Sequence, residues 1–213
     1  MSLVVDRYVL GPVQTNCYVV RAERGAREAV VVDPGADAAQ LRLELARMGA
    51  TCAAILITHT HFDHIGAVAD LAEASGAPVH VPQGEAAVLA RADEIYRDYG
   101  VVVRPWADVV PVAGDEELEL AGISWQTLNV PGHSPDHVAY YADGELFSGD
   151  VVFAGGVGRV DLPGGDWDTL LESIRMLADR FPPETVLHPG HGGATTLGDE
   201  LARNPFLAEL RAS

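Results

Sequence analysis

The sequence predicts a mixed α and β fold, of the α+β class, built as one compact domain. Three observations predict it. Short apolar, β-branched runs such as Ala53-Ala54-Ile55-Leu56-Ile57 and Thr185-Val186-Leu187 recur between turn signals. Amphipathic stretches with helical spacing stand between them, at residues 37–48 and from Asp166 onward. The strand-like runs also end repeatedly on histidine or aspartate, and the C-terminal ends of strands are where such folds carry chemistry.

In chain order, strands are expected at residues 3–9, 15–20 and 28–32, with turns at Gly11-Pro12 and Glu23-Arg24-Gly25. The short connections suit an antiparallel meander. Asp33-Pro34-Gly35 stops the third strand. Asp33 reads first as a turn residue there, and its place at a strand end leaves a supporting role in a site open. Residues 37–48 form a helix with Leu41, Leu45 and Met48 inward and Gly49 as its C-cap.

The strand at residues 53–57 delivers Thr58-His59-Thr60-His61-Phe62-Asp63-His64, and a helix opens at Ile65. His59 and His61 are two apart, so in extended backbone they point the same way and can grip one ion. Asp63 and His64 follow where the chain begins to turn and can reach a second. Imidazole and carboxylate donors suit zinc, and equally manganese or iron. The alternative, a polar loop whose histidines cap a helix, fits four such side chains in six residues poorly.

Residues 78–81 form a further strand containing His80, read as a core histidine. A single helix is expected over 84–98, packed through Val88, Leu89 and Tyr96. Tyr96, Tyr99 and Trp106 read as packing residues, with a substrate mouth as the alternative. Strands return at 109–112, 118–120, 123–130 and 138–141. Between the last two lies Pro131-Gly132-His133-Ser134-Pro135-Asp136-His137. Here His133 is a candidate ligand and His137 a residue that holds the loop. The run Glu145-Leu146-Phe147-Ser148-Gly149 ends on Asp150, whose two oxygens could bridge two cations.

Residues 151–165 read as a glycine-rich loop beside the site. Its Arg159 is a candidate for a substrate carboxylate or for a structural ion pair. Asp166 caps the next helix, with Trp167, Leu170, Leu171, Ile174 and Leu177 inward. The last strand delivers His188-Pro189-Gly190-His191. His191 is the candidate ligand of the second ion, with His188 as runner-up, and a short helical tail follows.

Composition narrows the function. The formal net charge is −17, and all 14 basic residues are arginines. Such a surface repels phosphate backbones and argues against nucleic-acid partners. No apolar run of membrane-spanning length and no basic n-region is found, so neither a membrane span nor a signal peptide is expected. Cys17 and Cys52 lack ligand spacing and read as buried, reduced thiols of a cytoplasmic protein.

Taken together, His59-x-His61-x-Asp63-His64, Pro-Gly-His133, Gly-Asp150 and Pro-Gly-His191, with Asp33 before them, resemble the metallo-β-lactamase superfamily. The resemblance implies an αββα sandwich, two mixed sheets flanked by helices, with metals at one edge. It assigns His59, His61 and His133 to one ion and Asp63, His64 and His191 to the other. Asp150 would bridge the ions, Asp33 would orient the site from behind its ligands, and Asp63 and Asp150 would serve catalysis.

The phrases Thr15-Asn16-Cys17-Tyr18, Val32-Asp33-Pro34-Gly35, Phe147-Ser148-Gly149-Asp150 and Gly158-Arg159 are similar to the glyoxalase II group. Leu162-Pro163-Gly164-Gly165-Asp166 and Asn204-Pro205-Phe206 are similar to its short members, which lack the C-terminal helical domain that helps hold glutathione. The implied activity is hydrolysis of S-acyl thioesters such as S-lactoyl thiol conjugates, with two divalent ions, zinc first and iron or manganese as alternatives. Mononuclear-iron persulfide dioxygenases on His59, His133 and Asp150, and lactone or β-lactam hydrolases, share the fold and are the rival expectations.

Overall fold

The computed structural model describes residues 2–211. Its first sheet contains β1 (Val4–Leu10), β2 (Thr15–Arg21), β3 (Glu28–Val32), β4 (Thr51–Leu56), β5 (Val79–Pro82) and β6 (Val109–Val112), side by side in that order. The first three pair antiparallel, as the short turns require, and the rest pair parallel. Parallel neighbours need crossovers. α1 (Ala38–Met48) supplies the first, α2 (Phe62–Ile65) and α3 (Val68–Ser75) the second, and α4 (Ala86–Ala90) and α5 (Ala92–Ile95) the third.

The second sheet is built from β7 (Glu117–Leu120), β8 (Ile123–Asn129), β9 (Val138–Ala142), β10 (Glu145–Gly149), β13 (Val186–Pro189) and β14 (Thr195–Thr196). A small hairpin, β11 (Val152–Phe153) with β12 (Gly156–Val157), lies between β10 and α6 (Trp167–Arg180) in sequence. α7 (Leu197–Arg203) follows β14. Among the described residues, only the β10–β13 pairing is parallel in this sheet.

The period-2 alternation of the strands sorts side chains between layers. Tyr18, Val30 and Leu56 face Trp125, Tyr140 and Phe147 of the other sheet and close the middle of the sandwich. Their neighbours Val19, Val31 and Ile55 turn outward, beneath Leu41, Leu45 and Leu71 of the helices. On the far side Leu128, Ala139 and Leu146 pack under Leu170, Ile174 and Leu177 of α6. The order of layers is helix, sheet, sheet, helix, as the resemblance implies.

The helix ends follow local chemistry. Gly49 adopts the left-handed φ of 68° that a C-cap after α1 needs, and the Asp166 carboxylate accepts the Thr169 N–H at the start of α6.

Two expectations change. The single helix over 84–98 is instead four short pieces, α4 and α5 with 3₁₀ turns at Gln83–Glu85 and Arg97–Tyr99. The break falls at Arg91, where φ is −126°. The loop over 151–165 contains the β11–β12 hairpin. Of the three aromatics, Tyr96 is buried and Trp106 packs against the first core, whereas Tyr99 is exposed and leans on Tyr96 at 6.2 Å between ring centroids.

Candidate metal centre

The loops after β4, β8, β10 and β13 meet at one edge of the sandwich and bring together all seven ligand candidates. His59, His61 and His133 present one donor nitrogen each within 4.8 Å of one another; so do the donor atoms of His59, His64 and Asp150, and those of Asp63, His64 and His191. His133 Nε2 stands 2.9 Å from His61 Nδ1 and 3.2 Å from His59 Nε2. On the other side His191 Nε2 lies 3.3 Å from Asp63 Oδ2, and His64 Nε2 lies 3.6 Å from the same oxygen. Asp150 sits between the groups, with Oδ2 3.5 Å from both His133 Nε2 and His191 Nε2.

These side chains are aimed by buried partners. Asp33, with a left-handed φ of 50°, accepts hydrogen bonds from the Thr58 N–H and hydroxyl and faces His64 Nδ1 at 2.9 Å. That contact turns His64 Nε2 toward Asp63 and Asp150. His133 Nδ1 lies 2.7 Å from the Arg159 carbonyl, so its Nε2 points inward. The Thr15 hydroxyl donates to Asp63 Oδ2 at 2.7 Å. Asn16 and Tyr18 donate to the Pro189 carbonyl and hold the loop that carries His191. His137 keeps its expected part, accepting the Asp150 N–H at 3.1 Å while its ring stacks on His59.

Two close approaches need glycine. A Cβ on Gly158 would lie 1.8 Å from the Asp150 carbonyl oxygen, and one on Gly190 would lie 2.1 Å from Asp150 Oδ1 and 2.6 Å from His64 Cε1. Bare backbone thus lies against Asp150 on two sides, at its main-chain carbonyl and at its carboxylate.

Other candidates lie elsewhere. His188 contacts Glu145 Oε2 at 2.6 Å and stacks on Phe147, away from the donor groups. His80 is buried in β5 and its ring is held below its ordinary pKa by that burial. The Arg159 guanidinium is exposed and paired through two nitrogens with Asp161, so Arg159 reaches the centre by its backbone. Cys17 and Cys52 are free, buried thiols that burial pushes up, Cys52 to about 12.

Electrostatics divides the centre. Burial holds His59 well below its ordinary range, and His61 falls to about 4 through burial and the neighbouring His133. Burial also lowers His133. Neutral imidazoles are the form that ligates. Burial alone would lower His64, but the Asp150 and Asp33 carboxylates outweigh it and raise the ring well above its usual value. Hydrogen bonds to Asp150 and Asp63 raise His191 to about 9. Burial would raise Asp63, yet His191, His64 and Thr15 bring it down to about 2. Asp150 is likewise held ionised by His64 and His191 against its burial.

The residues fit metal ions. His64 Nε2 and Asp150 Oδ1 are fully buried, 3.4 Å apart and without hydrogen-bond partners, and both point into the donor group. Buried polar atoms rarely go unsatisfied, and a cation between them satisfies both.

Several contributors were not singled out beforehand. Thr15, Thr58 and Glu85 carry no spacing that marks them; their roles come from partners distant in sequence. Gly158 and Gly190 stood in noted phrases, but only the close approach explains them.

Comparison with known proteins identifies the family. The family model described as "Metallo-beta-lactamase superfamily" matches residues 10–191. A "Probable metallo-hydrolase YqgX" of Bacillus subtilis is 39% identical over 207 residues, covering 94% of this chain and 96% of that one. The "Hydroxyacylglutathione hydrolase GloC" of Haemophilus influenzae is 30% identical over 203 residues, covering 91% and 93%. Among solved structures, TTHA1623 in a di-iron-bound form superposes with a TM-score of 0.85 at 42% identity, over 95% of this chain and 100% of that one. ETHE1 from Myxococcus xanthus gives 0.79 at 26%, over 97% and 85%. These relatives fit a short glyoxalase II-like member. The chain belongs to the metallo-β-lactamase superfamily and is one of its metal-dependent hydrolases.

Proposed function

We propose that the chain hydrolyses S-acyl thioesters, such as S-lactoyl conjugates of a small thiol, with two divalent ions. His59, His61 and His133 hold one, Asp63, His64 and His191 hold the other, and Asp150 is shared. The observation that carries this reading is the position of Asp150 Oδ2, equidistant at 3.5 Å from a nitrogen of each group. The name of the GloC relative supports the substrate class. Zinc suits the nitrogen-rich first group, and the di-iron neighbour makes iron a close alternative.

When bound, such a pair of ions would lower the pKa of a coordinated water and polarise the substrate carbonyl. The chain supplies the rest. The three low-pKa histidines stay neutral and keep their lone pairs free for ligation at neutral pH. Asp63 Oδ2, anchored by the Thr15 hydroxyl and kept ionised beside His191 and His64, would be a ligand of the second ion. A departing thiolate, whose parent thiol has a pKa near ~8.5, needs little help from an acid. That suits a centre whose titratable groups already converge on donor positions.

The test is elemental analysis with thiol release from S-lactoyl conjugates. About two ions per chain and turnover lost in His61→Ala and Asp150→Ala, with the fold retained, are expected. Near-wild-type turnover in either variant with metal fully supplied would sink the assignment. A second reading, persulfide oxygenation on a single iron, rests on the ETHE1 likeness and on the convergence of His59, His133 and Asp150. One iron per chain with oxygen uptake on a persulfide would favour it.

A further inference from the structure

Outside the ligand set, one buried carboxylate touches both loops that build the three-histidine group. Glu85 is 5% exposed and sits at the end of the 3₁₀ turn before α4. Its Oε2 accepts from the Thr60 N–H at 2.6 Å and from the Thr60 hydroxyl at 2.8 Å. Its Oε1 accepts from the Ser134 hydroxyl at 2.5 Å. Thr60 lies between His59 and His61, and Ser134 follows His133. The Thr60 carbonyl is held in turn by the Tyr96 hydroxyl at 2.6 Å, from the 3₁₀ turn region beyond α5.

Among the described residues, three neutral donors and no ion pair satisfy this carboxylate. Burying a charge in that way is costly unless the geometry it fixes is worth keeping. Thr60 and Ser134 are not ligands themselves, so the grip acts on the spacing between the ligands beside them. The two loops come from different sheets, and besides this grip one backbone bond, from the Val138 N–H to the Thr58 carbonyl at 2.9 Å, joins their flanks.

We propose that Glu85 is a positioning residue that clamps the His59–His61 loop to the His133 loop and so sets the metal affinity of the three-histidine group. This rests on the two-ion reading above. The clamp is selective, because none of its three bonds reaches Asp63, His64 or His191.

The test is zinc titration of the metal-free protein against a chromophoric chelator, resolving the two equivalents. His61→Ala identifies the equivalent bound by the three-histidine group. In Glu85→Ala that same equivalent should weaken about 10–100-fold, the usual cost of losing a partner that orients ligands, while the other stays as in wild type. Glu85→Gln can still accept from Thr60 and donate to Ser134, and should recover most of the loss. Should Glu85→Ala fail to fold, Ser134→Ala removes one arm only and should weaken the same equivalent to a smaller degree. Equal weakening of both equivalents, or no change in either, would overturn the clamp and leave the hydrolase reading standing. A wild-type protein that binds no zinc, iron or manganese would instead remove the two-ion reading and this inference with it.

Discussion

Asp33 and His64 meet at 2.9 Å, carboxylate Oδ2 to ring Nδ1, in a pocket where both are almost wholly buried. The contact fixes which ring nitrogen faces the donor group. Asp33→Asn tolerates the left-handed backbone at this position, because asparagine adopts it readily. Its amide, however, cannot serve both Thr58 and the His64 N–H as the two carboxylate oxygens do. The affinity for one metal equivalent should fall about 10–100-fold, read by chelator competition, with the far-ultraviolet spectrum unchanged. An unaltered affinity would show that His64 needs no such guide.

Gly190→Ala tests the geometry without touching a ligand. The added methyl would stand 2.1 Å from Asp150 Oδ1 and 2.6 Å from His64 Cε1. His64 is held through its other nitrogen by Asp33, and the Asp150 carboxylate is buried among the donor side chains, so neither atom can retreat cheaply. Thiol release should drop by about two orders of magnitude or more, the scale attached to a 1 Å displacement at a reacting centre. Wild-type turnover in this variant would mean that the centre is looser than its packing implies.

The metal-free protein should be most stable near pH 6.5. His64 is raised well above its usual value and His191 to about 9, so their stabilisation is complete below the unfolded value of about 6.5 and is lost as pH climbs, for His191 through about 9. His59, His61 and His137 are depressed by burial, His61 to about 4, so their contribution is complete above that same unfolded value and is lost as pH falls. Thermal midpoints of chelator-treated protein across pH 5 to 10 should therefore trace a dome that falls on both sides of its crest. A metal ion held by His191 would replace its proton, so the alkaline arm should flatten in the loaded protein. An alkaline arm that persists unchanged with zinc would contradict His191 as a ligand.

Much of this architecture is visible in the chain because it is local. Strand alternation around Val19, Ile55 and Tyr140, the Asp166 cap and the Gly49 stop each depend on a few neighbouring residues. The histidine loops are legible for the same reason, since each donor follows directly on its strand. Glu85 is illegible because its meaning lies in Thr60 and Ser134, 25 and 49 residues away. It stands in a stretch whose alternation reads as one helix with a charged side. In the fold that stretch breaks at Arg91, and its two ends, Glu85 and Tyr96, both arrive at Thr60. Arg159 is legible only in part: its side chain makes the ion pair that is one of its two readings, with Asp161, whereas nothing in the sequence marks the carbonyl that meets His133.

The donor atoms come from both halves of the sandwich, His59 to His64 from the loop after β4 and His133, Asp150 and His191 from the other sheet. An ion that demands donors of both kinds can be captured only after the two halves have come together, so its binding energy is added to their cohesion. Bound metal would then act as a rivet between chain segments far apart in sequence. It would also serve as a proofreader, because a misassembled chain has nothing with which to retain it, and metal content per chain becomes a direct gauge of correct folding.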